Sequence, residues 1–169
     1  MAVIEAIQTV YLEADTASVT MSSIPATYQH LQLRITFRGI YQSTGFGQYI
    51  IFNADTGSNY NVNVIYAGDS TASGWRTANA SNLELTTGGI SMPSAQYPST
   101  VLDIYDYANT NKNTSFDWET NKVPKSSRYQ LCGGGFWDDT AALHTINWTT
   151  YSTDIGRGTS ITLYGLNDS

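Results

Sequence analysis

The sequence predicts an all-β protein, a single β-sandwich or barrel domain over residues 1–169. Three observations lead to this prediction. Apolar and polar residues alternate with a period of two along most of the chain, and no segment carries a capped apolar stripe with a period of 3.6 residues. Clusters of Gly, Asn and Asp recur between the alternating runs. About ten short strands at regular spacing are typical of a sandwich or a barrel.

Four runs show the clearest alternation, with apolar residues at every second position. They are HLQLRITFRG (30–39), STVLDIYDYAN (99–109), ALHTINWTTY (142–151) and TSITLYGL (159–166). Weaker strand candidates are residues 7–12, 16–23, 48–54, 60–66, 83–92, 113–120 and 128–137. Turn signals include DTGSN (55–59), DYANTNKN (106–113) and CGGG (132–135), and the polar segment 67–82 is predicted to be a long loop.

The charge of the chain excludes two classes of function. The net charge is −6, and the 8 Lys and Arg residues are scattered rather than clustered. Nucleic-acid binding requires a basic surface that displaces counterions, and a polybasic membrane anchor requires a similar cluster. Only 13% of the residues are charged, against about 25% in a typical soluble domain. We therefore expect a neutral polar surface that binds neither nucleic acid nor membrane.

The compartment is predicted from the cysteine content and the first residues. Cys132 is the only cysteine, so no disulfide within the chain is possible. The start, MAVIEAIQTVYLEAD, lacks the basic region of a signal peptide. No apolar run approaches the roughly 18 residues of a membrane span. We expect a soluble protein that is made in a cytoplasm.

Asp55-Thr56-Gly57 matches the catalytic triplet of aspartic proteases. Such a protease needs two of these loops, because its two carboxylates share one proton. The chain contains one, so a homodimer would have to supply the second, and DIGRG (154–158) matches the later apolar-apolar-Gly stretch only in part. We favour a turn between two strands, with positive φ at Gly57 or Asn59.

The remaining reactive side chains favour a structural interpretation. His30 opens one strand and His144 lies within another, no G-x-S-x-G motif is present, and no His/Cys spacing suggests a metal site. Cys132 is predicted to be a small buried side chain. Carboxylates cluster in or beside two adjacent strands, at Asp103, Asp106, Asp117 and Glu119. We interpret them as a solvated strand face, with glycoside hydrolysis and calcium binding as alternatives. The prediction is no catalytic residue, no metal and no cofactor.

Aromatic residues supply the candidate interface. Most of them, including FDW (116–118) and FWDD (136–139), are predicted to lie in the core. Trp75 stands in a polar segment with nothing obvious to bury it, and exposed aromatic residues are frequent in protein interfaces and sugar-binding surfaces. The predicted interface residues are Trp75, Arg76, Tyr41 and Phe46.

Four stretches, taken in order, resemble a family of small β-rich structural proteins of tailed bacteriophages. They are SVTMSSIPATYQHLQLRI (18–35), FNADTGSNY (52–60), LDIYDYANTNKNTSF (102–116) and SITLYGL (160–166). The resemblance covers the chain from about residue 16 to its end and rests on turn and strand signatures. It implies a jelly-roll-type virion component, placed on the capsid or in the tail.

These observations lead to one expectation and two alternatives. We expect a capsid decoration protein, made in the host cytoplasm, that binds the major capsid protein in the virion as a symmetric oligomer, a homotrimer. It would stabilise the assembled head by mass action and avidity. The first alternative is a tail or fibre module that binds host-surface carbohydrate. The second is an aspartic protease that acts through Asp55.

Overall fold

The computed structural model describes residues 3–38, 40, 47–68, 71–86, 97–122, 129–151 and 154–167, and this part of the chain contains strands and no helix. The strands are β1 (Val3–Tyr11), β2 (Ser18–Ser22), β3 (His30–Thr36), β4 (Gln48–Phe52), β5 (Tyr60–Gly68), β6 (Thr71–Ala80), β7 (Leu83–Thr86), β8 (Ser99–Tyr105), β9 (Thr114–Lys122), β10 (Tyr129–Trp137), β11 (Thr145–Thr150) and β12 (Ser160–Asn167). The described residues include no helix that could cross a membrane.

The strands form two antiparallel sheets that pack face to face. The larger sheet has eight strands in the order β1-β12-β3-β8-β9-β10-β5-β6, and the smaller has four in the order β2-β11-β4-β7. The predicted all-β class and β-sandwich are confirmed. The edge strands are β1 and β6 in the larger sheet and β2 and β7 in the smaller one.

Strand β3 shows how the sequence pattern produces the sandwich. Leu31, Leu33 and Ile35 each expose at most 1% of their surface, whereas Gln32 is half-buried and Arg34 is exposed. Successive side chains of a strand point to opposite faces, so the apolar set faces the second sheet and the polar set faces away from it. The predicted alternation is confirmed here and in β8 and β12.

Large aromatic side chains fill the space between the sheets. Phe52 of β4 has its ring centroid 6.1 Å from that of Phe116 in β9 and 5.7 Å from that of Trp137 in β10. Phe37 and Trp148 make a second edge-to-face contact at 5.9 Å. Rings in these geometries stabilise a core beyond the burial of their area. The prediction of core positions for FDW and FWDD is confirmed for Phe116, Trp118 and Trp137 and is wrong for Phe136, which is 41% exposed.

The predicted loop over residues 67–82 is wrong. Residues 71–80 form β6, which pairs with β5 from Gly68↔Thr71 to Tyr60↔Ala80. An edge strand has a neighbour on one side only, and most residues of β6 are exposed. It therefore needs few apolar residues, and its Ala, Ser and Thr residues gave no apolar alternation.

Residues 53–59 connect β4 to β5, so Asp55 lies in a turn, as the composition of the segment predicts. Positive φ occurs at Asn53 (50°) and Ala54 (58°), and the prediction of positive φ at Gly57 or Asn59 is wrong. The hydrogen bonds of the Asn53 side chain explain why the positive φ occurs at the start of the turn. Its Oδ1 accepts hydrogen bonds from the backbone of residues 144 and 145, and its Nδ2 donates to the Ala142 carbonyl at 2.9 Å.

Candidate functional site

The candidate site lies on the outer face of the eight-stranded sheet, the face that points away from the four-stranded sheet. In β9, Phe116 and Trp118 are buried, whereas Asp117 and Glu119 are exposed. Because side chains alternate, the second pair projects from the outer face together with alternate residues of the neighbouring strands.

The register of the sheet arranges these side chains in rows that cross the strands. One row runs through Gln32, Asp103, Asp117, Gly134, Asn63 and Arg76. The next runs through Arg34, Val101, Glu119, Cys132, Ile65 and Gly74. Residues from six strands are thereby brought side by side, although Gln32 and Gly134 of one row are 102 positions apart in sequence.

A groove of about 730 Å³, called here the outer groove, follows β10 across these two rows. Its floor is Cys132 and Gly134. Asn63 and Ile65 of β5 form one wall, and the other is formed by residues of β8 and β9, among them Asp103, Asp117, Glu119 and Val101. The depression exists because the strand in the middle carries small side chains while its neighbours carry longer ones.

The three glycines of β10 differ in how much space a side chain would have at each position. A Cβ on Gly133 would lie 2.8 Å from the Trp118 ring, and one on Gly135 would lie 1.8 Å from the Asn61 carbonyl oxygen, so these two positions have no room for a side chain. A Cβ on Gly134 would meet the Phe116 carbonyl oxygen at 3.3 Å and the Cβ of Asp117 at 3.4 Å, which is tight but needs only a small shift. CGGG was predicted to be a turn, and this is wrong, because the run lies within β10.

Each carboxylate of the outer groove accepts a hydrogen bond from a neutral donor. The Gln32 amide nitrogen donates to Asp103 at 2.7 Å. The Tyr105 hydroxyl donates to Asp117 at 3.0 Å. The Gln130 amide nitrogen donates to Glu119. These contacts orient the three carboxylates. Because the donors are uncharged, they do not neutralise the negative charges.

The hydroxyl of Tyr105 remains a donor at neutral pH. Burial, followed by the hydrogen bond to Asp117 and the charges of Asp117 and Asp103, raises the pKa of Tyr105 to about 12. Each of these influences disfavours the phenolate, which would be a second negative charge beside a carboxylate. Tyr105 therefore keeps the proton that it donates to Asp117 at neutral pH.

The charge of the outer groove is one-sided. Asp103 and Asp117 are direct cross-strand partners, an arrangement in which two like charges repel. None of the described residues that line the groove is basic. Two arginines border the groove one strand beyond its lining residues, Arg34 opposite Val101 and Arg76 opposite Asn63. The Nε of Arg34 donates to Gln32 at 2.7 Å, and its guanidinium lies 4.9 Å from the Tyr164 ring centroid. The prediction that the carboxylates lie on a solvated strand face is confirmed for Asp103, Asp117 and Glu119.

Cys132 is exposed, and the prediction that it is buried is wrong. It lies on the outer-face parity of β10, opposite Glu119 on one side and Ile65 on the other. Cysteine occurs on buried and exposed faces of strands, so its identity does not show which face it occupies. The three glycines that follow it carry no side chain and therefore hide the apolar-polar alternation of β10.

The predicted interface residues separate into two pairs. Trp75 lies on β6 opposite Val64, is half-buried, and packs against the Tyr66 ring at 5.9 Å between centroids, so it faces the core side of the sheet. Arg76 is exposed and ends the row that contains Gly134. Tyr41 and Phe46 lie outside the described residues.

The histidines lie apart from the outer groove. His30 Nδ1 accepts a hydrogen bond from the Asp106 amide at 3.0 Å, at the start of the β8–β9 connection. His144 precedes β11 rather than lying within it, and it is exposed. Within the ranges that the structure describes, no group of three or more His, Cys, Asp or Glu residues could hold a metal ion.

Comparisons with known proteins assign no family. No family model matches the chain, and no curated protein matches it at a significant level. Among solved structures, an alginate lyase in complex with an alginate trisaccharide matches with 8% identity, 89% of this chain, 80% of that chain and a TM-score of 0.29. A T=1 particle derived from infectious bursal virus matches with 9% identity, 99% of this chain, 41% of that chain and a TM-score of 0.12. Neither TM-score supports an argument about fold or function.

Proposed function

We propose that this chain is a structural protein of a phage virion, a decoration protein that binds the assembled head, and that it acts by binding rather than by catalysis. The observation that carries the proposal is the apolar edge strand β1. Val3, Ile4 and Tyr11 expose 49%, 57% and 58% of their surface along it. An edge strand with exposed apolar side chains is a surface that another chain can cover.

Strand β1 is suited to contact between subunits. It is nine residues long, and Glu5 is its only charged residue. One side of its backbone pairs with β12, and the other side faces outward as the edge of the sheet. A bulge between Ala6 and Gln8 interrupts the regular register and divides the strand into two short segments. A decoration protein would use this edge within a symmetric oligomer, for which we retain the homotrimer.

The partner in this proposal is the major capsid protein, and the site of action is the virion. The net charge of −6 and the scattered Lys and Arg residues argue against nucleic acid and membranes as partners. Binding only to the assembled shell stabilises that shell by mass action, and repeated copies add avidity. Virions that lack this chain should therefore lose infectivity faster on heating or at low ionic strength.

Occupancy of virions by edge variants tests the proposal. Ile4→Lys places a charge on the apolar edge, and we expect at least a tenfold loss of the chain from purified virions. The matched control is Tyr151→Lys, because Tyr151 is 76% exposed and lies away from β1. Equal occupancy by both variants, in virions as robust as the parent, would contradict the proposed role of the edge.

A tail or fibre module that binds host carbohydrate is the second candidate. The observation that favours it is the row Tyr105, Ser115 and Phe136 beside the outer groove, in which Phe136 is 41% exposed. Exposed rings next to hydrogen-bonding side chains are suited to sugars. Binding of a neutral oligosaccharide that Phe136→Ala abolishes would favour this candidate.

The aspartic protease finds little support in the geometry of Asp55. Its Oδ1 accepts from the Gly57 amide at 2.8 Å, and its Oδ2 accepts from Asn59 at 2.8 Å and from Trp137 at 2.6 Å. Both carboxylate oxygens are therefore engaged in holding the turn, and this arrangement fits a structural role.

A further inference from the structure

We propose that the outer groove binds an extended segment of a partner protein that carries lysine or arginine at alternate positions. The charge preference of the groove follows from its own residues. Only the identification of the partner as a capsid protein rests on the proposed function.

The shape of the groove admits a chain in close contact with β10. The packing around residues 133 and 135 requires glycine at both positions. At Gly134 an added Cβ would have its nearest contact at 3.3 Å, so glycine is less strictly required there. Glycine within a strand costs roughly 0.5–1 kcal/mol relative to alanine. Its presence on an outer face commonly marks a place where a ligand or another backbone approaches closely.

The charge of the groove selects a cationic occupant. Asp103, Asp117 and Glu119 lie on one wall, and no basic residue is among the described lining residues. Asp103 and Asp117 face each other across two strands, so a cation between them removes a repulsion that is present in the free protein. Complementary charge of this kind sets partner choice and association rate.

The spacing of the wall matches an extended chain. Asp117 and Glu119 are two residues apart on the same face of β9, and a strand rises about 3.3 Å per residue. The two carboxylates therefore repeat at about 6.6 Å, which is also the repeat of side chains on one face of an extended peptide. Alternate lysines would each meet one carboxylate, with small residues between them pointing away from the sheet.

The floor of the groove favours a peptide over a glycan. Sugar-binding surfaces use aromatic rings as platforms for the sugar face. Here the floor is formed by Cys132 and Gly134, which offer no ring. Trp118, the aromatic residue among the described lining residues, exposes only 3% of its surface, and the Tyr105 hydroxyl already donates to Asp117. Phe136 lies in the adjacent row, beyond the two rows that the groove crosses.

The test uses the isolated full chain and two nine-residue probe peptides, one alternating lysine with threonine and one alternating glutamate with threonine. Calorimetry at low salt should detect binding of the lysine peptide only. Glu119→Gln should weaken it about 3- to 5-fold, as expected for one exposed ion pair. The control Glu13→Gln removes the same charge from a side chain that is 77% exposed near Arg157, and it should leave the affinity unchanged.

Blocking the groove gives an independent readout. Gly134→Leu should abolish binding of the lysine peptide, and circular dichroism shows whether the variant has folded. Should it fail to fold, the N-ethylmaleimide adduct of Cys132, the only cysteine, blocks the floor of the parent protein instead. The same reagent applied to Cys132→Ala should leave binding intact.

Three results would overturn the inference: no binding of the lysine peptide, equal binding of the two peptides, or an equal effect of Glu13→Gln and Glu119→Gln. Binding of neutral cellohexaose, lost in Gly134→Leu, in place of the peptide would assign the groove to glycans. The edge variant Ile4→Lys tests the decoration role in virions without involving the groove, so the two proposals fail separately.

Discussion

The indole Nε1 of Trp137 donates a 2.6 Å hydrogen bond to Oδ2 of Asp55. Trp137 ends β10 in the larger sheet, and Asp55 lies in the turn that leads from β4 in the smaller sheet to β5 in the larger one. This contact therefore fastens the chain where it crosses between the two sheets. The same ring packs against Phe52 at 5.7 Å between centroids, so one side chain serves both the core and the turn.

Asp55→Asn should destabilise the fold by about 1–3 kcal/mol, the typical cost of leaving a buried hydrogen-bonding group unsatisfied. All three partners of Asp55 are N–H donors, and an amide NH₂ in place of one oxygen would face a donor. Urea unfolding measures the change. The control Asp138→Asn alters an exposed carboxylate that accepts one bond from Asn113, and it should cost much less. Equal stability of the two variants would contradict this role of Asp55.

The contribution of Asp55 should depend on pH. Partial burial alone would raise the pKa of Asp55, but the hydrogen bonds from Asn59, Trp137 and Gly57 together outweigh it and hold the pKa below its ordinary value of 3.8. A lowered pKa contributes stability that is present above the unfolded value and is lost as the pH falls through the folded one. The difference in unfolding free energy between the parent and Asp55→Asn should shrink below pH 3.8. A difference that stays constant down to pH 2 would contradict the assignment.

Gly134→Ala and Gly135→Ala should have very different effects. An added Cβ at residue 135 would lie 1.8 Å from the Asn61 carbonyl oxygen, which forces β10 away from β5, whereas at residue 134 the nearest atom is 3.3 Å away. We expect Gly135→Ala to cost about 3 kcal/mol or more and Gly134→Ala to change stability by less than about 1 kcal/mol. Thermal unfolding compares them directly, and similar melting temperatures would show that the packing of β10 is different from that described.

Cys132 should react in the folded protein. Its side chain is exposed on the floor of the outer groove, so a thiol reagent such as dithionitrobenzoate should modify one equivalent without denaturant. A buried thiol would react only through unfolding. The control is the rate in urea, and a native rate slower by about a thousandfold would show that the residue is inaccessible.

How far the sequence predicts this fold depends on how each strand meets the core. Strand β3 was predictable because Leu31, Leu33 and Ile35 are all buried in the core. A strand with one fully buried face requires a strict alternation of apolar and polar residues. Strand β6 was not, because an edge strand of Ala, Ser and Thr requires little burial. Its one aromatic side chain, Trp75, packs half-buried against Tyr66, and without knowledge of the strand it was expected to be exposed.

The outer groove was not predictable, although some of its residues were noticed. Asp103, Asp117 and Glu119 were grouped from sequence because they lie in two consecutive strands. Their position across β10 from Asn63 and Ile65 depends on the register of β8, β9, β10 and β5, which is set by pairing between distant segments. The different roles of the glycines at 133, 134 and 135 appear only when each is placed against its neighbours.

We propose that the chain belongs to the virion and lies on its head. Immunogold labelling of intact virions with antibody against this chain tests it most directly. The account predicts gold distributed over the whole head, with none on the tail. Gold confined to the tail would contradict the decoration role in favour of host recognition, and the absence of gold from intact virions would contradict a virion protein altogether.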